Sequence, residues 1–254
     1  RLTTPTEVVL PIRPASAASA TASTATTADQ MLVHSLMIVF YRMLLELGCL
    51  HLHAAAIRWN GETSLFLGGK GAGKSTLCLA LARAGATVLG EDHVLVRRAA
   101  NGFEVSGCDA NMRLTAQTEA ALLPQPPAGR KAWFGGVLKR EFDLRQTALD
   151  VRPFVDFVPG RIFFPAVGAR VAIAPMRRAT AMARILDAIH DRHAIAGADD
   201  ARRLLDYLGA FVDSLEAYQL ELSPRLSDLD AVVDFVAGAP SGRSRSRAAG
   251  SSES

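Results

Sequence analysis

The chain has 254 residues, 49% of them hydrophobic, which is enough for one well-packed domain. A net charge of only +3 and an aromatic content of 6% argue against nucleic acid as a partner, because they supply neither a basic stripe nor a base-stacking platform. Cys49, Cys78 and Cys108 are odd in number and make no metal-like or redox-like spacing, a usage that fits buried free thiols in a reducing compartment.

The chain opens with a short apolar piece, Val8-Val9-Leu10, and an Ala/Ser/Thr-rich linker that cannot bury enough surface to order itself. No secretory core precedes it, so a cytoplasmic protein is expected. The most apolar stretch, Met31 to Leu52, contains His34, Arg42, Glu46 and His51, which a bilayer tolerates poorly. It reads instead as a helix capped by Asp29 and stopped by Gly48, with no membrane association. These features predict a flexible segment over 1–28, a domain over 29–237 and a disordered tail over 238–254. In that tail, Arg243, Arg245 and Arg247 read as solvated charge.

Within the domain, residues 54–59 and 63–67 read as two strands joined by a tight Asn60-Gly61 turn. A glycine-rich loop follows, then a helix over 75–83 stopped by Gly85, then a short strand over 87–89. A second hairpin is expected from 94–97 to 103–105, around Asn101-Gly102. Residues 108–160 give no clear pattern. Late strands are expected at 162–164 and 171–173, helices at 176–193 and 199–221, and a short helix begun by Ser227.

The loop Gly68-Gly69-Lys70-Gly71-Ala72-Gly73-Lys74-Ser75 has the form of a P-loop. Its glycines let the backbone curl around an anion and turn N–H groups inward, and the following helix aims its positive end at the same place. Gly68 to Thr76 are therefore the expected binding residues for a nucleoside triphosphate, taken as ATP. Lys74 would reach the β- and γ-phosphates, and the Ser75 hydroxyl would hold Mg²⁺. Glu91 and Asp92 stand just past the strand 87–89. In a parallel arrangement that strand end shares a sheet edge with the loop, which places acid beside Mg-ATP. Lys139-Arg140 and Arg130-Lys131 could contact phosphate or an acidic substrate, but read first as a solvated face.

His53, the loop Gly68 to Ser75, and the run Gly85-Ala86-Thr87-Val88-Leu89-Gly90-Glu91-Asp92 share order and spacing with a known family. Over residues 50 to about 100 the chain resembles the catalytic domain of HPr kinase/phosphorylase and its smaller relatives. The resemblance implies an α/β fold of the HPr kinase/phosphoenolpyruvate carboxykinase type, with a mixed sheet and flanking helices. It implies ATP-dependent phosphorylation of a serine or threonine hydroxyl on a protein or peptide, such as a biosynthetic precursor peptide of a lasso-peptide-like pathway. Asp92 would be the general base, His53 would sit beside the transferred phosphate, Lys74 would bind phosphate, and Ser75 and Glu91 would hold Mg²⁺. Glu91 stands where the family has an aspartate. Asp109, Arg113 and Glu119 fall where the family carries a further magnesium carboxylate and an Arg-Gly motif. Two other readings remain alongside this one, a kinase of small-molecule hydroxyls and a nucleotide-binding regulatory module without transfer. A homo-oligomer is compatible with each.

Overall fold

The computed structural model describes residues 27–100, 102–123, 125–134, 136–189 and 197–238. The opening apolar piece, the linker as far as residue 26, and the tail from 239 with its three arginines lie outside the described residues. The chain divides into two compact units, Arg1–Leu36 and Met37–Ser254. Of the first, the described part is the start of helix α1 (Thr27–Glu46), which begins two residues before the expected cap. Among the described residues no helix is long and apolar enough to cross a membrane.

The second unit is mixed α/β, built on a six-stranded sheet. Its strands are β2 (Ala54–Trp59), β3 (Glu62–Leu67), β4 (Thr87–Gly90), β10 (Pro159–Val167), β11 (Ala172–Pro175) and β12 (Glu216–Leu222), in the order β11-β12-β10-β3-β2-β4. β10 runs parallel to β3 and β12, whereas β2 is antiparallel to both β3 and β4. β3 and β4 therefore point the same way with β2 between them, and their C-terminal ends share one edge. The β2–β3 turn has the expected form. Asn60 and Gly61 both have positive φ, 50° and 83°, as a two-residue hairpin matching strand twist requires.

The central strands are apolar runs because both sheet faces are covered. Ala55, Ile57, Phe66 and Phe163 face a layer containing α2 (Lys74–Arg83) and α6 (Leu229–Gly238). Ala54, Ala56, Leu65, Leu67, Ile162 and Phe164 face α4 (Arg178–Ala188) and α5 (Ala198–Asp213). On that second side lies a three-stranded sheet of β1 (Cys49–Leu52), β5 (Val94–Ala99) and β6 (Gly102–Gly107), ordered β1-β5-β6. β6 crosses the end of β4 backbone to backbone. A Cβ added at Gly107 would lie 1.9 Å from the Leu89 carbonyl oxygen and 2.6 Å from Gly90 Cα.

Three expectations are corrected. The helix expected over 199–221 ends at Asp213, and residues 216–222 form β12. Tyr218, Leu220 and Leu222 turn inward at a spacing of two, a strand period that the apolar positions of α5 disguise. The helix expected over 176–193 is α4, which stops at Ala188, and residues 190–196 lie outside the described residues. The patternless stretch 108–160 holds a third sheet, of β7 (Asn111–Leu114), β9 (Val137–Asp143) and β8 (Arg130–Phe134) in the order β7-β9-β8, together with helix α3 (Ala116–Leu122). Strand β1 is also new, since the sequence offered only a helix end there. In the second hairpin Ala99 pairs with Gly102, and Asn101 of the expected turn lies outside the described residues.

Candidate functional site

The glycine loop fills the step from β3 to α2. Gly71 and Gly73 have φ of 81° and 90°, and Gly73 is the N-cap residue of α2 with no side chain to cap it. The first bond of that helix runs from Leu77 N–H to Gly73 C=O, at 2.9 Å. The N–H groups of Lys74, Ser75 and Thr76 consequently have no carbonyl within the helix and stand at its positive end. That is what an anion needs from a protein backbone.

Lys74 begins the helix with only 6% of its surface exposed. Its Nζ donates to the Gly68 carbonyl at 2.7 Å and lies 3.0 Å from His53 Nε2. Burial pulls the ammonium below its ordinary value. Asp92 and Glu91 oppose that pull, and the positive charge of Lys139 adds to it. Because an ammonium only donates, His53 Nε2 accepts and the ring proton sits on Nδ1, 3.6 Å from Asp92 Oδ1. His53 is placed by its own backbone, whose N–H donates to Ala188 C=O at 2.7 Å.

Glu91 and Asp92 follow β4 directly and behave differently. Glu91 is fully buried; Ser75 Oγ donates to its Oε1, and its Oε2 has no hydrogen-bond partner among the described residues. Burial and the neighbouring Asp92 charge push its carboxyl up to about 8, against the opposing effects of Ser75, Lys74 and Lys139. Asp92 adopts a left-handed backbone, φ 72°, a conformation that aspartate and asparagine tolerate better than most residues. Its Oδ2 accepts from Arg113 Nη1 at 3.0 Å, and Arg113 Nε donates onward to Glu141 at 2.9 Å.

These groups border a cleft of about 1250 Å³. One side is His53, Gly69 to Thr76 and Asp92; the other is built from the β7-β9-β8 sheet and includes Arg113, Phe134, Val137 and Lys139. A second cleft, of about 1140 Å³, lies against Gly68 to Ala72 and His53 and is lined further by Phe164, Pro165, Arg184 and Asp187. The loop, His53, Lys74, Ser75, Thr76 and both carboxylates are thus brought together. Of the three residues left open, Arg113 joins the cleft through Asp92. Glu119 instead pairs with Arg140 at 2.7 Å. Asp109 is raised to about 6 by its burial and, next, by the Asp92 charge. Lys139, read first as solvated charge, borders the cleft, while Phe134 and Val137 were not legible as site residues. The available signal was alternation along β9, where positions 137, 139 and 141 share one face.

The donor set suits magnesium. A hydroxyl and a buried carboxylate with one unsatisfied oxygen are hard oxygen ligands beside an anion-ready loop. Among the described residues no group of three or more His, Cys, Asp or Glu side chains is assembled to hold a metal.

Residues 18–122 match a family model described as SynChlorMet cassette protein ScmC. No curated protein matches the chain. Among solved structures, the Hpr(Ser) kinase/phosphatase from Coxiella burnetii is similar at 11% identity and a TM-score of 0.38, covering 79% of this chain and 99% of that one. So low a score transfers no residue roles.

Proposed function

We propose that this protein is an ATP-dependent kinase that phosphorylates a serine or threonine hydroxyl on a protein or peptide. One observation carries the reading: the glycine loop, Lys74 and Asp92 face one cleft in which cationic side chains outnumber carboxylates. Lys70, Lys74, Arg113 and Lys139 border it against Asp92, with Glu91 buried behind. Such an excess suits a polyanion, and a triphosphate matches the loop.

In this mechanism the loop N–H groups and those of Lys74 to Thr76 hold the phosphate chain, and Lys74 Nζ leaves the Gly68 carbonyl for the terminal phosphates. Magnesium, held by Ser75 and Glu91, supplies charge neutralisation at the phosphates when bound. The acceptor hydroxyl oxygen forms a bond to the γ-phosphorus as the bond from that phosphorus to the β–γ bridging oxygen breaks. The bridging oxygen departs with ADP, and the hydroxyl proton passes to Asp92. Arg113 Nη1, 3.0 Å from Asp92 Oδ2, and His53 Nδ1, 3.6 Å from Oδ1, hold the carboxylate in place. The matched family model is described as a cassette protein, so peptides encoded beside this chain are the first acceptors to test.

The test is Asp92→Asn, which keeps the left-handed backbone accessible and removes the proton acceptor. Phosphate incorporation into the peptide, followed by mass spectrometry, should fall about 10²- to 10⁴-fold. Mg-ATP affinity by calorimetry should change far less. Wild-type transfer by Asp92→Asn would end the assignment of Asp92 as base. Phosphate released to water by the wild type, with no peptide modified, would favour a nucleotide-driven switch.

A further inference from the structure

Lys139 lies on β9, opposite Ala132 of β8, and faces the cleft with Val137. The three arginines of that sheet are already engaged. Arg113 is held by Asp92 and Glu141, Arg130 by Glu141, and Arg140 by Glu119. Lys139 makes no ion pair or hydrogen bond among the described residues. Lys139 and Lys74 border the same cleft, one from the sheet and the other from the glycine loop. A second cation aimed toward a buried lysine is unfavourable unless an anion enters between them. Val137 and Phe134 line the cleft beside it.

We propose that Lys139 is a catalytic residue that contacts the transferred phosphoryl group from the β7-β9-β8 sheet, opposite the glycine loop, and stabilises charge developing there during transfer. This rests on the phosphoryl-transfer reading above. In the ground state Lys74 and the helix N-terminus already hold the phosphates, so Lys139 contributes mainly when the γ-phosphoryl group moves away from ADP toward the acceptor. No atom is exchanged with Lys139.

The experiment compares two ligands by calorimetry on the full chain: Mg-ATP, and ADP with magnesium and aluminium fluoride, which imitates the group in flight. Lys139→Met should bind Mg-ATP within about 3-fold of wild type yet lose roughly 100-fold for the fluoride complex, the scale of one lost transition-state donor. Lys139→Arg should recover most of that loss. Lys131→Met, on the other face of the same hairpin, should bind both ligands as wild type does. Equal weakening toward both ligands by Lys139→Met would overturn the inference, as would no change toward either. A wild-type protein that binds Mg-ATP and phosphorylates a peptide while Lys139→Met matches it throughout would refute Lys139 alone. A wild-type protein that binds neither ligand would refute the kinase reading and this inference together.

Discussion

Glu91→Gln tests the electrostatics of the site without any acceptor. Glu91 is fully buried, with one carboxylate oxygen bonded by Ser75 and the other unsatisfied, and its carboxyl is pushed up to about 8 from an ordinary 4.5. The folded state therefore keeps a proton that the unfolded chain releases. Linkage then makes stability fall as pH rises from about 4.5 to about 8, and level off beyond. Between pH 5.5 and 8 the loss attributable to Glu91 is about 3 kcal/mol, at roughly 1.4 kcal/mol per pH unit with rounding near the midpoint. Glutamine has the same shape and does not titrate. Its amide leaves N–H groups unpaired, which lowers stability equally at both pH values and does not alter the slope. The assay is urea unfolding of both proteins at pH 5.5 and 8, without magnesium or nucleotide. Wild type should lose about 3 kcal/mol more than Glu91→Gln across that interval. Asp109, raised by burial and the Asp92 charge, and His93, lowered by burial, titrate in both proteins and cancel in the difference. Parallel behaviour of the two proteins would refute the claim that Glu91 is held protonated in the ligand-free fold.

Further outcomes follow from the loop and the chain ends. Lys74→Ala removes a buried cation aimed at the phosphates, so Mg-ATP affinity should fall roughly 10- to 100-fold and transfer should cease; calorimetry showing undiminished binding would count against the site. Gly73→Ala forces a side chain onto a φ of 90° and brings its Cβ to 2.7 Å from Leu222 Cδ1. It should cost about 1–2 kcal/mol in urea unfolding and weaken nucleotide binding, and unchanged values for both would show that the loop tolerates the strain. A chain beginning at residue 29 should bind Mg-ATP as the full chain does, and a large loss would show that the opening segment acts on the site.

What could be read in the sequence was what short-range chemistry decides. Asn60-Gly61 demands positive φ at two successive residues, and only a tight hairpin uses that economically. Gly71 and Gly73 around Lys74 announce a loop that must curl, and the acidic pair is visible because it terminates an apolar strand. What failed depended on distant partners. In β12, Tyr218 and Leu222 continue, through Leu215, the apolar spacing of Leu204, Leu208 and Phe211, and the packing of Tyr218 against Phe163 gives residues 216–222 a reason to extend. The third sheet has half-exposed strands with many charges, so its alternation is faint until Arg113 is seen opposite Glu141. Lys139 reads as surface charge for the same cause: the glycine loop that it shares the cleft with, Gly69 to Thr76, lies more than sixty positions earlier in the chain.

The crossing of β6 over β4 has a consequence for mutational tolerance. Leu89 and Gly90 are the last residues before the two carboxylates, and Gly107 presses on their backbone with no room for even a methyl group. Across that crossing, Cys108 N–H donates to His93 C=O and Phe154 N–H to Gly107 C=O, so the contact is clamped on either side. Any side chain at position 107 would act as a wedge under the strand that carries Glu91 and Asp92. It would tilt the carboxylates away from Ser75 and Lys74 while touching neither. Residue 107 faces no cleft and offers no functional group, yet it governs the spacing between acid and loop. Saturation of this single codon should therefore give a pattern unlike that of a core residue: folded, soluble proteins with impaired chemistry, graded by the bulk of the substituent.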